Sequence, residues 1–271
     1  MKDFFQERAE KIKAQELRIP AVTEACNDLR VLVDPRTRLP ENYVPRDLVS
    51  LRLHGISTLT TDMLLRQETA EHLAQLVAAA SAASEELVVA SAYRSFQDQK
   101  AIFTTCAAIY GDEARRVCAL PGHSQHQLGT AVDFADGAAS YRLWYLKDAS
   151  YPASKENLLS TAMSNGAPNG VIEQLRSLAV EQFSGPEDVM GPFADTKASQ
   201  WLLKHAEEYG FVLAYPKDGE AETGYYWEPW HYRYIGVDNV QRLQSSGLSL
   251  QVFLLQEGVL PPVIDLKTEM C

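Results

Sequence analysis

The chain has 271 residues, 46% of them hydrophobic and 23% charged, the balance of a globular protein able to bury a core. Against 36 Asp and Glu stand 25 Lys and Arg, a net charge of −11, and no basic block is present to neutralise phosphates, which argues against nucleic acid as a partner. No stretch is apolar over a length that would span a membrane as a helix; the run 76–83 is Ala-rich, short and flanked by charge.

Residues 2–17 pattern as an amphipathic helix, with Phe4, Phe5, Ala9, Ile12 and Leu17 on one side. They alternate charges and lack an apolar signal core, so no secretory signal is visible. Residues 18–50, punctuated by Pro20, Pro35, Pro40 and Pro45, read as an extended segment wrapping a surface. A helix is expected over 61–83, with Leu65, Thr69, Leu73, Leu76, Val77 and Ala80 as its stripe. Residues 86–93 form a short β-branched strand pattern that ends at Arg94. Ser95 with Asp98 three residues on is an N-cap signal for the next helix, whose face holds Ile102, Phe103, Cys106, Ala107 and Tyr110 and which stops at Gly111.

A Pro121-Gly122 turn then opens a polar loop with two histidines, and Gly129 gives way to a strand pattern through Asp133. Residues 137–192 lack a clear period, apart from one helical piece near 171–183, and read as an insertion. From Asp195 a helix runs through Trp201, Leu202, His205, Ala206 and Tyr209 to a terminating Gly210. Strands are expected over 211–215 and 225–235, separated by a charged turn, and helices over 237–245 and 248–256 before an extended tail. Cys26, Cys106, Cys118 and Cys271 form no CxxC pair, which argues against a thiolate zinc site. Cys106 and Cys118 are either a disulfide closing a local loop or free buried thiols.

The residues that carry chemistry lie in three places. His126 and Asp133 offer an imidazole and a carboxylate, good ligands for a divalent metal of zinc type, and His231 supplies a third. Three protein ligands with a water in the fourth position is the usual plan of a catalytic zinc, which brings the pKa of that water to roughly 7. Glu228, three residues before His231, is the candidate base. Positions three apart face opposite ways on a straight strand, so Pro229 must bend the chain between them; Trp230 and Tyr232 then face the packed side. Arg94, at a strand end, suits a carboxylate with paired hydrogen bonds, as an exopeptidase needs, and Ser124 adds a hydroxyl on the same side. His54, His72 and His205 share no motif and are read as structural, and His123 as marginal to the metal. Arg233, on the His231 face of its strand, is read as a structural partner.

Four segments in this order carry a resemblance: Ser91-Ala-Tyr-Arg-Ser95, Gly122-His-Ser-Gln-His126-Gln-Leu-Gly129-Thr-Ala-Val-Asp133, Tyr209-Gly-Phe211 with Tyr215-Pro216, and Glu228-Pro-Trp-His231-Tyr-Arg-Tyr234. Together they resemble the VanY-type D-alanyl-D-alanine carboxypeptidases, zinc peptidases that trim peptidoglycan stem peptides. The resemblance covers about residues 58–136 and 193–256. It implies an α+β fold of the Hedgehog/D-Ala-D-Ala peptidase kind, a small antiparallel sheet with surrounding helices and one zinc ion on its open face. It implies zinc on His126, Asp133 and His231, Glu228 as general base and acid, and Arg94, Ser124, Tyr93 and Gln99 on the substrate side. Members of that family often carry Glu before the first zinc histidine, where this chain has Gln125.

The expected organisation is an N-terminal extension over 1–57, outside the resemblance, a zinc carboxypeptidase domain over 58–256 with the insertion at 137–192, and a tail over 257–271. The implied partners are stem peptides or muropeptides, and the implied location is the periplasm or cell envelope, while the lack of a visible secretory signal leaves the cytoplasm open. A D,D-carboxypeptidase is the favoured reading. An L,D-carboxypeptidase or murein endopeptidase with the same site is its neighbour. A non-catalytic peptidoglycan-binding module is the alternative of another class, against which the intact Glu228 argues.

Overall fold

In the computed structural model the described residues are 27–58, 63–136, 193–259 and 261. The first expected helix, the insertion with its helical piece, Cys26 and Cys271 lie outside them. The centre is an antiparallel four-stranded sheet of β3 (Leu87–Ser91), β4 (Ala131–Asp136), β5 (Phe211–Leu213) and β6 (His231–Tyr234), in the order β3-β4-β6-β5. A second sheet pairs β1 (Leu48–Ser50) with β2 (Leu64–Arg66). The helices are α1 (Gln67–Ala82), α2 (Phe96–Tyr110), α3 (Lys197–His205), α4 (Val237–Ser246) and α5 (Leu250–Glu257), with shorter helical turns between them. The class is α+β, as expected, and the sheet and its helices have the architecture implied by the resemblance.

The alternation of side chains across the sheet decides where the core lies. Val132 and Phe134 of β4, with Trp230, Tyr232 and Tyr234 along β6, turn to one face and pack with Leu73, Leu76 and Ala80 of α1 and Leu202 of α3. Phe134 and Tyr232 meet edge to face at 5.7 Å, a favourable aromatic geometry. The opposite face of the same strands carries Asp133, His231 and Arg233. Helix α1 forms where Ala, Leu, Gln and Glu dominate, and it buries Thr69, Ala70, Leu73, Leu76 and Ala80 on one stripe. It starts later than expected, because Leu65 belongs to β2. Helix α2 begins at Ser95 with a full capping box: Ser95 Oγ accepts from the Asp98 N–H, and the Asp98 side chain accepts from the Ser95 N–H.

The segment from residue 27 to 47 runs as a strap along the site side of the molecule. The buried guanidinium of Arg233 donates to the carbonyls of Leu29 (2.8 Å) and Val31 (3.3 Å). Gln127 donates to the carbonyls of Pro40 and Tyr43, and the Leu39 N–H to Gly122. Val31, Val33, Leu39 and Tyr43 bury against Leu128, so the strap closes a small apolar cluster of its own with the histidine loop. Arg233 is thus the structural partner that the sequence suggested. Cys106 and Cys118 are both buried and are not joined in a disulfide, which settles the open alternative in favour of thiols.

Candidate metal centre

One row across the sheet builds the site. Ser91 of β3 pairs with Asp133 of β4, and Asp133 pairs with His231 of β6, so all three are level on neighbouring strands. An irregularity between Val89 and Ser91 shifts the register of β3 and brings Ser91 opposite Asp133. His126 reaches the same place from a 3₁₀ turn, Gln125–Leu128, which Ser124 caps and Gly129 ends. One donor atom from each of His126, Asp133 and His231 lies within 4.8 Å of the others, and all three residues are buried.

The hydrogen bonds decide which nitrogens face inward. His126 Nδ1 is 2.6 Å from the Ala92 carbonyl, which can only accept, so the ring proton is on Nδ1. Burial first, then the nearby Arg94 guanidinium, pushes the His126 pKa down to about 4, so the ring is neutral at pH 7. Its Nε2 is therefore a bare lone pair, 3.2 Å from Asp133 Oδ2 and without a hydrogen-bond partner among the described residues. Burial acts to raise the Asp133 pKa, but the two imidazoles outweigh it and hold the carboxylate well below its usual range. Two electron pairs facing each other in a buried place repel unless a cation sits between them. That arrangement, with an N/O/N donor set and its outer hydrogen bonds in place, fits a divalent metal.

His231 completes the set. Its Nδ1 is 2.8 Å from Asp133 Oδ1, and its Nε2 is 3.1 Å from the side-chain oxygen of Gln125. The Tyr215 ring stacks on the imidazole, with centroids 4.7 Å apart and planes 21° off parallel. Glu228 is brought beside His231 by a turn closed by the His231 N–H bond to the Glu228 carbonyl, 3.0 Å, with Pro229 at its second position. The carboxylate oxygen Oε2 lies 3.8 Å from His231 Nδ1. This turn is the bend that the three-residue spacing demanded. It also explains why β6 starts at His231, whereas a strand from Tyr225 was expected.

Arg94 lies beside the cluster, its Nη1 bonded to Ser91 Oγ at 2.9 Å and 3.6 Å from Asp133 Oδ2, with 12% of its side chain exposed. Tyr93 is half-buried next to it. Ser124 and Gln99, both expected at the substrate, are almost wholly buried. The Ser124 hydroxyl accepts from the His126 N–H, and the Gln99 amide donates to Ala119 O and Cys118 Sγ. His123 donates from Nδ1 to the carbonyl of Asp34 at 2.8 Å, tying the strap to the loop. Gln125 and Tyr215 are the contacts that sequence reasoning did not assign to the site. For Gln125 the signal was its place beside His126, and for Tyr215 its place in the Tyr215-Pro216 pair.

Comparison with known proteins agrees with this geometry. A family model described as VanY, D-alanyl-D-alanine carboxypeptidase, matches residues 62–169 and 172–237, well over half of the chain. YodJ of Bacillus subtilis (strain 168) is 28% identical over 228 residues, covering 83% of this chain and 67% of that protein. A D-alanyl-D-alanine carboxypeptidase of Enterococcus faecium is 22% identical over 231 residues, covering 83% of this chain and 56% of the relative. The match thus spans little more than half of the Enterococcus faecium enzyme. Among solved structures, the LdcB LD-carboxypeptidase superposes with a TM-score of 0.60 at 27% identity, over 87% of this chain and 89% of that one. The D,D-pentapeptidase VanY from a VanB-type resistance cassette shares the fold, with a TM-score of 0.53 at 23% identity over 83% and 98% of the two chains.

Proposed function

Since the chain belongs to the VanY D-alanyl-D-alanine carboxypeptidase family, we propose that it is a zinc-dependent carboxypeptidase that removes the C-terminal D-amino acid from peptidoglycan stem peptides. The observation that carries this reading is the buried triad of His126, Asp133 and His231 with the Glu228 carboxylate beside it. A binding module needs no base at that position. Zinc held by the triad would polarise the scissile carbonyl and make a water acidic enough to attack at neutral pH.

The chain's own residues do the rest. Glu228 takes the proton of the attacking water on its carboxylate and returns it to the departing amine, a role that needs one group to act as base and then acid. Arg94 holds the substrate's terminal carboxylate with paired hydrogen bonds and so sets which bond lies over the metal position. It is preset for this by Ser91, which fixes one end of the guanidinium. Tyr93 flanks the same side, whereas Ser124 acts through the turn that holds His126. The strap forms one wall of the loop that carries His126, through Gln127 and His123. With such a substrate the enzyme works on the envelope side of the membrane.

A second reading shares the whole site. LdcB, at 27% identity, is an L,D-carboxypeptidase, which favours cleavage of a D-residue from an L-centre as the alternative bond. Zinc-loaded protein incubated with defined tri-, tetra- and pentapeptide stems, with products read by mass, decides between the two. A D,D-enzyme shortens the pentapeptide by one residue and leaves the tetrapeptide; an L,D-enzyme shortens the tetrapeptide. Three unchanged masses would refute the carboxypeptidase reading.

A further inference from the structure

Gln125 is a buried amide whose side-chain oxygen lies 3.1 Å from His231 Nε2, on the far side of the imidazole from Asp133. The opposite nitrogen, Nδ1, is 2.8 Å from Asp133 Oδ1. These two contacts are coupled through one proton. When the amide oxygen faces the ring, Nε2 must carry the hydrogen, and Nδ1 is left as a lone pair directed at the metal position. When the amide turns its NH₂ to the ring, Nε2 accepts, and Nδ1–H donates to the Asp133 carboxylate. The ring holds one proton in both arrangements, so moving it leaves the charge unchanged; the second arrangement satisfies both nitrogens without a metal, and in the first Nδ1 is satisfied only when a metal takes its lone pair.

We propose that Gln125 is a positioning residue that selects which nitrogen of His231 faces the metal, letting the His231 ring rest hydrogen-bonded on both nitrogens without zinc and switch to the ligating tautomer with it. The His126 ring has no such freedom, because the Ala92 carbonyl can only accept and holds that ring permanently in the ligating form. The two histidines therefore differ in kind: His126 is fixed for metal, and His231 is adjustable through an amide that can offer either end. A carboxylate at position 125 would accept only, locking the ligating form and adding a buried negative charge near Asp133 and Glu228. A methyl group there would leave Nε2–H without an acceptor, a change that typically weakens metal binding by about 10- to 100-fold.

This inference rests on the metallopeptidase reading, and its test separates the two. The zinc dissociation constants of wild type, Gln125→Ala and Gln125→Glu are measured by competition with a chromophoric chelator. Long-range ¹H–¹⁵N NMR of the labelled imidazoles reads the His231 tautomer in wild type, metal-free and zinc-loaded. The expected results are an affinity loss of about 10- to 100-fold for Gln125→Ala, binding at least as tight as wild type for Gln125→Glu, and a His231 proton that moves from Nδ1 to Nε2 on loading. Gln125→Ala with wild-type affinity, or one His231 tautomer in both states, overturns the proposal and leaves the peptidase reading standing. A wild type that binds no zinc overturns both. The NMR arm needs no variant, so a variant that fails to fold does not remove the test.

Discussion

Replacing Gly129 by Ala strikes the hinge between the two elements of the histidine loop and strand. Gly129 ends the turn that carries His126, its carbonyl accepts from the Arg66 N–H, and β4 with Asp133 follows two residues on. Its φ of +69° costs an alanine about 1–2 kcal/mol. A Cβ there would also lie 3.0 Å from Arg66 Cγ and Leu48 Cδ2 and 3.3 Å from Pro45 Cγ. Arg66 cannot swing away cheaply, since its guanidinium is bonded to Asp47 and to the Asn27 carbonyl, and Pro45 is a rigid ring. Overpacking of this kind adds about 1–3 kcal/mol. Gly247, which ends α4, supplies the internal control: its φ is +65°, yet nothing lies within 4 Å of a Cβ built there. Gly247→Ala should therefore cost only the backbone part, about 1–2 kcal/mol, and Gly129→Ala about 2–5 kcal/mol. Urea unfolding of the two metal-free variants gives the difference, and Gly129→Ala should weaken zinc binding as well. Equal losses of stability in the two variants would refute the packing of the strap and the β1–β2 sheet against the histidine loop.

Two further outcomes follow from the site. Arg94→Ala should lower kcat/KM for removal of a terminal residue by about 10²-fold, the loss of a few kcal/mol of charged hydrogen bonding, and cost less than tenfold on substrates with an amidated C-terminus; equal losses on both would remove the carboxylate from its assigned partner. Zinc at 100 times its dissociation constant should add about 2.7 kcal/mol to stability, raising Tm by about 5–10 °C in a chain of this size, and a chelator should reverse the shift. A calorimetric Tm indifferent to zinc would contradict a site built into the sheet.

The candidate metal cluster was legible in the sequence because the neighbours of its residues constrain them. Gly129 marks the end of a turn, Thr130–Phe134 a strand, and Pro229 a bend, so the positions of His126, Asp133 and His231 followed from local chemistry. Helix α2 was equally legible, since Ser95 and Asp98 make a reciprocal cap that acts over three residues. What local pattern could not show were contacts between distant segments. The strap reads as loop because its prolines and charges forbid regular structure, and nothing local tells that Arg233 will bond the carbonyls of Leu29 and Val31 some 200 residues away. The contacts that Ser124 and Gln99 make were hidden for a related reason. A hydroxyl or amide next to a site serves the backbone around it as readily as a substrate, and here Ser124 serves the N–H of His126 and Gln99 the carbonyl of Ala119. The strand expected from Tyr225 is short because a turn needs the residues that the ladder would have used.

The central claim, that Glu228 moves the proton beside a metal held by His126, Asp133 and His231, is tested most directly by Glu228→Ala with metal content and turnover measured on the same sample. Zinc should remain at one ion per chain, since Glu228 is not a ligand, and stem-peptide hydrolysis should fall by about 10²–10⁴-fold. Zinc-loaded Glu228→Ala that hydrolyses the peptide at the wild-type rate would contradict the account.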